Sequence, residues 1–133
     1  MILPEYLSTR FILPQSQIPL LKEWPKRFWI ITACNPYSSG DRSNDASNNL
    51  VLKKDLEALS PWLKPIICSS NDCGHDPEPS FAVSNLSHPQ IEELAKKYRQ
   101  NAVFLIEDDI LNVISCTEKT SQVAGRFLEK VES

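Results

Sequence analysis

Chemistry has few places to sit in this chain, and the most constrained of them is Glu78. With Asp76 or Asp72 it offers the paired carboxylates that acid–base work or a hard cation requires, because both tasks need oxygens close enough to share a proton or a metal. Asp72 and Asp76 read more simply as a solvated acidic loop. Glu78 differs because prolines flank it and fix its approach to an apolar run; capping backbone donors or pairing with Arg42 is its structural alternative. Cys68-x4-Cys73-x-His75 carries the thiol and imidazole groups of a structural zinc site, with Cys34 or Cys116 available as a fourth ligand. The spacing is not that of paired CxxC knuckles, and Cys68 is expected to point into the core, so no metal is expected.

A thiol nucleophile would need an adjacent base or a positive environment. Cys34 is expected inside a strand and His88 at a helix start, and no Gly-x-Ser-x-Gly elbow is present. Three glycines are too few for either a Walker-type loop or a Gly-x-Gly-x-x-Gly cradle, and no cofactor is expected. A looser anion site remains, made from Ser38, Ser39, Arg42 and the free amides at the start of the first long helix, although Ser, Asn and Asp there are also ordinary capping residues.

The elements that must position these groups follow from apolar periodicity. Phe28 to Cys34 is a continuous apolar, β-branched run of strand length, and it empties into a polar loop marked by Gly40. Ala46 to Leu59 sets Leu52, Leu56 and Leu59 on one helical face and stops before Pro61. Pro65–Ser69 and Ser80–Leu86 read as strands separated by the 71–79 loop. Ser87 caps a helix with Pro89 in its first turn and Ile91, Leu94, Ala95 and Tyr98 as its buried stripe. Ala102–Ile106 and Ile110–Cys116 form a hairpin around Asp108-Asp109. Thr120 to Val131, with Val123, Phe127 and Val131 at helical spacing, predicts a last helix.

This order predicts an α+β ferredoxin-like (split βαβ) sandwich: a mainly antiparallel sheet, both helices on one face, an extra hairpin strand and a C-terminal helix. Residues 1–133 are expected to be one domain, with 1–27 an irregular proline-marked arm in which Tyr6–Leu13 could add a short edge strand and Ile18–Trp24 one helical turn or two, 28–116 the α+β core and 117–133 the closing helix. If the first crossover brackets the third strand, the exit of the first strand meets the start of its neighbour. Asn35, Ser38, Ser39, Asn49, Glu78, Ser80, Gln100 and Asn101 then share one edge, and the first seven with Arg42 make the candidate binding set.

Composition narrows the class further. Apolar residues at 41% and charged residues at 23% place the chain among ordinary globular proteins. A net charge of −3 gives no broad basic footprint, so general nucleic-acid binding is not expected. The sequence from Met1 to Tyr6 has no basic n-region, and no apolar run reaches bilayer length, which predicts a cytoplasmic chain without membrane contact. Basic Lys96, Lys97 and Arg99 read as a solvated helix face, and Trp24, Trp29 and Trp62 as packing residues.

Ile31-Thr-Ala-Cys-Asn-Pro36, Asn49, Glu78-Pro-Ser-Phe-Ala-Val83 and Leu94-Ala-Lys-Lys-Tyr-Arg-Gln-Asn-Ala-Val103, in this order, resemble a bacterial family of small domains of unknown function. Its pattern runs I-T-A-x-N-P, a helix with an early Asn, E-P-S-F, then L-A-x-x-[FY]-x-Q-x-A. The resemblance covers roughly Tyr6 to Val113 and implies no activity. The family often has an aromatic or other apolar residue at position 34; Cys34 departs from that, which argues against an essential thiol nucleophile. The resulting expectation is a non-catalytic binding module for a small polar or anionic ligand, or a protein partner, at the Asn35–Glu78 edge. The alternatives are a small enzyme using Glu78 as acid or base, with Asn35 and Ser80 orienting substrate, and a structural domain pairing through a sheet edge.

Overall fold

The computed structural model describes residues 4–70 and 77–133. Eight strands make one sheet: β1 (Thr9–Ile12), β2 (Arg27–Ile31), β3 (Leu63–Ser70), β4 (Glu78–Val83), β5 (Ala102–Glu107), β6 (Ile110–Ser115), β7 (Ser121–Arg126) and β8 (Val131–Glu132). Three α-helices accompany them: α1 (Pro4–Leu7), α2 (Asp45–Leu59) and α3 (His88–Lys97). The strand order is β7-β6-β5-β2-β4-β3-β1-β8. The ladders are antiparallel except for β1 with β8, which is parallel, so the sheet is mixed.

β2 explains why the sheet needs cover on both sides. Its successive residues alternate between two cores: Trp29 and Ile31 face one, Phe28 and Ile30 the other. The first core is closed by Leu52 and Leu56 of α2 and by Ile91, Leu94 and Ala95 of α3. α3 is placed by local chemistry. Ser87 Oγ accepts from Gln90 N (3.3 Å) and Ser87 N donates to Gln90 Oε1 (2.8 Å), a reciprocal capping box that satisfies two otherwise orphaned amides. The buried Trp29 indole donates to Leu86 O at 2.9 Å and ties β2 to the segment before that helix.

The second core lies inside a curl. Phe11 on β1 and Phe104 on β5 have ring centroids 5.2 Å apart although β3, β4 and β2 run between their strands. Four strand spacings in a flat sheet would separate them by roughly 19 Å. The chain enforces the same curvature at its edges. β7 and β8 stand at opposite ends of the strand order, yet only residues 127–130 join them. A flat eight-stranded sheet would hold them roughly 34 Å apart, whereas the step from Arg126 to Val131 spans at most about 18 Å. The sheet therefore curls into a half-barrel. Phe127, in that link, fills the interior against Phe11, Trp24 and Phe28, and Lys130 Nζ donates to Leu7 O at 2.7 Å.

The expected ferredoxin-like sandwich is overturned by this curled, eight-stranded mixed sheet. β4 does lie between β2 and β3, which α2 connects, but the strands outside that group roll the sheet around a second core instead of leaving one face open. The expected C-terminal helix is absent. Residues 121–126 form β7, 128–130 a 3-10 turn and 131–132 β8. Val123 and Phe127 have helical spacing, but Gly125 sits at φ +113, outside the helical region, and β6 supplies the hydrogen-bond partners. In the arm, β1 falls within the Tyr6–Leu13 stretch read as a short strand, and a 3-10 helix over Gln15–Glu23 overlaps the Ile18–Trp24 turns; α1 precedes them, and the arm's apolar residues line the interior of the curl.

Candidate functional site

The exit of β2 is held by side chains from α2 and from the segment just past α3, and by the Pro79 carbonyl of β4. Beyond Ile31 the backbone leaves the sheet and its polar groups need partners. Thr32 Oγ1 donates to Pro79 O (2.7 Å) and accepts from Cys34 N (3.1 Å). Asn49, in α2, accepts from Ala33 N through Oδ1 (2.9 Å) and donates through Nδ2 to Pro79 O (2.8 Å). Asp45 Oδ1 accepts from Asn35 N (2.9 Å). Gln100, just past α3, donates through Nε2 to both Cys34 O and Tyr98 O (3.0 Å each).

The loop that follows turns on left-handed residues. Asn35 has φ +48, and its Oδ1 accepts from the amide of Gly40 (2.7 Å), which itself has φ +85. Asn tolerates that region through its short polar side chain and Gly through its lack of Cβ. Tyr37, also at φ +48, is strained there and exposed. Arg42 then bridges the two acids that face each other across the gap, Asp45 at 3.3 Å and Glu78 at 3.1 Å.

These ends surround a cavity of about 60 Å³ at one mouth of the half-barrel. Ile30, Ile31, Ala102 and Phe104 supply its apolar walls; Asn35, Glu78, Ser80 and Gln100 are among its polar ones. Four of the residues expected at the edge thus come together there. Asn101 does not line it, and neither do the other four candidate binding residues. Asn49 and Arg42 stand behind the lining, holding the β2 exit and Glu78. Ser39 is exposed, its Oγ accepting from Asp41 N at 3.2 Å, and the side chain of Ser38 lies outside the described residues. The anion site read from Ser38, Ser39 and Arg42 loses its cation to the two carboxylates.

Sequence reasoning passed over the other walls: Glu5 and Tyr6 from α1, Thr9 from β1, Thr32, and Cys68, Ser69 and Ser70 at the end of β3. Thr9 lies in the Tyr6–Leu13 stretch that the sequence reads as a short strand, but nothing local marks it as facing a cavity. Ser80 Oγ donates to Glu78 O at 3.0 Å, fixing the turn of chain on which Glu78 sits.

The thiols are not activated. Burial pushes Cys34 from its ordinary 9.0 up to about 11, the Thr32 hydrogen bond opposing and the charges of Asp45 and Glu78 adding to the rise. Burial likewise raises Cys68 to about 12 and Cys116 to about 11. These are protonated thiols at neutral pH. Cys73, His75, Asp72 and Asp76, and with them the Cys68-x4-Cys73-x-His75 zinc reading, fall outside the described residues. Among the described residues no group of three or more His, Cys, Asp or Glu is placed to hold a metal ion, and no helix is long and apolar enough to cross a membrane.

Comparison with known proteins returns one family. A model described as protein of unknown function (DUF3293) matches residues 31–103, which contain the β2 exit, Asn49, Glu78, Ser80 and Gln100 and leave out Glu5, Tyr6 and Thr9. No curated protein and no solved structure matches. With more than half its length inside that match, the chain belongs to the DUF3293 family of proteins of unknown function.

Proposed function

We propose that this protein is a non-catalytic binding module that takes a small polar ligand at the mouth of the half-barrel. The observation carrying this reading is the cavity itself: polar side chains from three separate stretches of chain, at Asn35, at Glu78 and Ser80, and at Gln100, meet over an apolar floor. Concave sites with apolar walls and a few placed polar groups are where small molecules bind, and barrel mouths are a common location. Glu78 has a positional task on this reading, since Arg42 holds it at 3.1 Å, and no chemistry is assigned to it.

Filling the cavity tests the proposal. Ala102→Phe and Ser70→Tyr each place a ring in or over the space. A fragment screen by ligand-observed NMR on the unaltered chain should return small polar hits, and those hits should disappear in whichever variant keeps its melting temperature. Hits that persist in a folded, filled variant would refute the site.

A further inference from the structure

Two buried amides in the cavity wall indicate which chemical group the cavity recognises, an inference that rests on the binding reading above. Asn35 and Gln100 are 8% and 6% exposed, more than nine-tenths buried, and both line the cavity. They stand side by side, since Gln100 Nε2 donates to the carbonyl of Cys34, whose peptide link leads into Asn35. Each does its structural work with one half of its amide. Gln100 spends both hydrogens of Nε2 on the carbonyls of Cys34 and Tyr98, which leaves Oε1 as an acceptor with no partner among the described residues. Asn35 spends Oδ1 on Gly40 N, which leaves Nδ2 as a donor with none among them. These bonds also fix which way round each amide sits, because turning either group over would set acceptor against acceptor or donor against donor. No buried polar side-chain atom of the described residues lacks a hydrogen bond, so both atoms reach accessible space, and the cavity is the space these residues line.

One open donor beside one open acceptor discriminates among small groups. An ammonium supplies donors only and would leave Asn35 Nδ2 unmet. A carboxylate or a ketone supplies acceptors only and would leave Gln100 Oε1 unmet. A polar group that loses its water without gaining a partner is costly. A hydroxyl must serve both from a single oxygen, whereas a carboxamide divides donor and acceptor between two atoms in one plane, as the protein divides them between two side chains. The carboxamide is also neutral, so it enters between Ile30, Ile31, Ala102 and Phe104 without the desolvation cost of a charge. A cavity of about 60 Å³ suits a short end group of this kind, the rest of the ligand lying outside the mouth.

We propose that the cavity recognises a terminal carboxamide, its NH₂ donating to Gln100 Oε1 and its carbonyl oxygen accepting from Asn35 Nδ2.

Acetamide, acetate and acetone share one shape and differ only in the group beside the carbonyl, which is NH₂, O⁻ or CH₃. Titrated into ¹⁵N-labelled protein, they are read by the side-chain amide resonances of Asn35 and Gln100. Acetamide should shift both pairs saturably, with an affinity about tenfold above that of the other two, the factor expected when one hydrogen-bonding group is left unmet. Asn35→Asp keeps an acceptor for Gly40 N and tolerates the left-handed backbone, but turns the open donor into an acceptor. In that variant, with its fold checked by the backbone spectrum, the Gln100 resonances should report acetamide about tenfold weaker. Should the variant fail to fold, the three probes on the unaltered chain decide alone. Equal affinities for acetamide and either analogue, or a folded Asn35→Asp protein that binds acetamide as the parent does, would overturn the carboxamide while leaving binding at the mouth standing. Absence of a saturable shift from all three up to about 200 mM would overturn it as well. The fragment screen then decides the broader reading: hits that cavity filling abolishes sustain it, and an empty screen ends it.

Discussion

Asn49 and Pro79 are joined by a 2.8 Å hydrogen bond in which a helix side chain donates to a strand carbonyl, while the same amide accepts from Ala33 N at 2.9 Å. One buried side chain thereby couples the exit of β2 to the start of β4. Replacing it with alanine leaves a buried backbone donor without its acceptor, so Asn49→Ala should cost about 2–3 kcal/mol in urea unfolding. Asn49→Asp keeps the acceptor but loses the donor, and its stability should fall further as pH rises and the buried carboxylate ionises.

The Arg42–Glu78 pair is partly shielded, at 28% and 23% side-chain exposure, and Asp45 shares the arginine. Glu78→Gln should therefore lower stability by only about 1 kcal/mol, with Arg42→Ala somewhat worse because it releases Asp45 as well. A double-mutant cycle measured by thermal unfolding checks the coupling. A loss of several kcal/mol for Glu78→Gln alone would mean that this carboxylate supports more than the ion pair.

Cys34 gives the fold an alkaline limit. Its folded pKa of about 11 lies above its ordinary value of 9.0, because burial disfavours the thiolate. The protonated thiol's contribution is fully present below pH 9 and is lost as pH rises through 11, amounting to about 2–3 kcal/mol. Urea midpoints measured from pH 8 to 11 should decline, and Cys34→Ala should flatten that decline. Iodoacetamide at pH 8 should label Cys34, Cys68 and Cys116 slowly until denaturant is added, as read by peptide mass mapping.

Asp55 clamps the two long helices together, accepting from Lys97 Nζ at 2.8 Å and Tyr98 Oη at 2.6 Å. Lys97 first and Tyr98 second hold its carboxyl below the usual range. Its contribution is therefore present above pH 3.8 and lost as pH falls through the lower folded value. Asp55→Asn should reduce the melting temperature slightly at pH 7, and the difference from the parent should shrink in acid.

The parts of this structure that were legible in the sequence are those whose causes are local or follow from one crossover. Ser87, Gln90 and Pro89 specify the start of α3 within four residues, and Ile91, Leu94 and Ala95 specify its buried face. The meeting of Asn35 with Glu78 follows from β2 and β4 being antiparallel neighbours, with Ile31 opposite Phe81. What was not legible depends on partners distant in sequence. Val123 to Val131 has helical spacing and becomes strand because β6 and β1 are there to pair with it. The arm's short strand and helical turns are local and were legible; that its apolar residues close a second core was not, because their partners lie far along the sequence. The missed inference was available in β2 itself: Phe28 and Ile30 are as apolar as Trp29 and Ile31, and two one-sided helices cover only one face. Something else had to cover the other, and only the two ends of the sequence were left to do it.

The parallel pairing of Phe11 with Val131 has a consequence in time as well as in space. Arg10 and Glu132, bonded at 3.1 Å, are 122 residues apart, so β1 must wait for nearly the whole described sequence before its outer edge is covered. Until then the aromatic interior that Phe127 completes is open to water, and the β1 edge can pair with any strand it meets. Long-range closure of this kind slows folding and extends exposure to aggregation. A chain emerging from the ribosome reaches α2 and α3 early and its curvature last, so the mouth that holds Asn35 and Gln100 takes its final shape only after synthesis has passed residue 131.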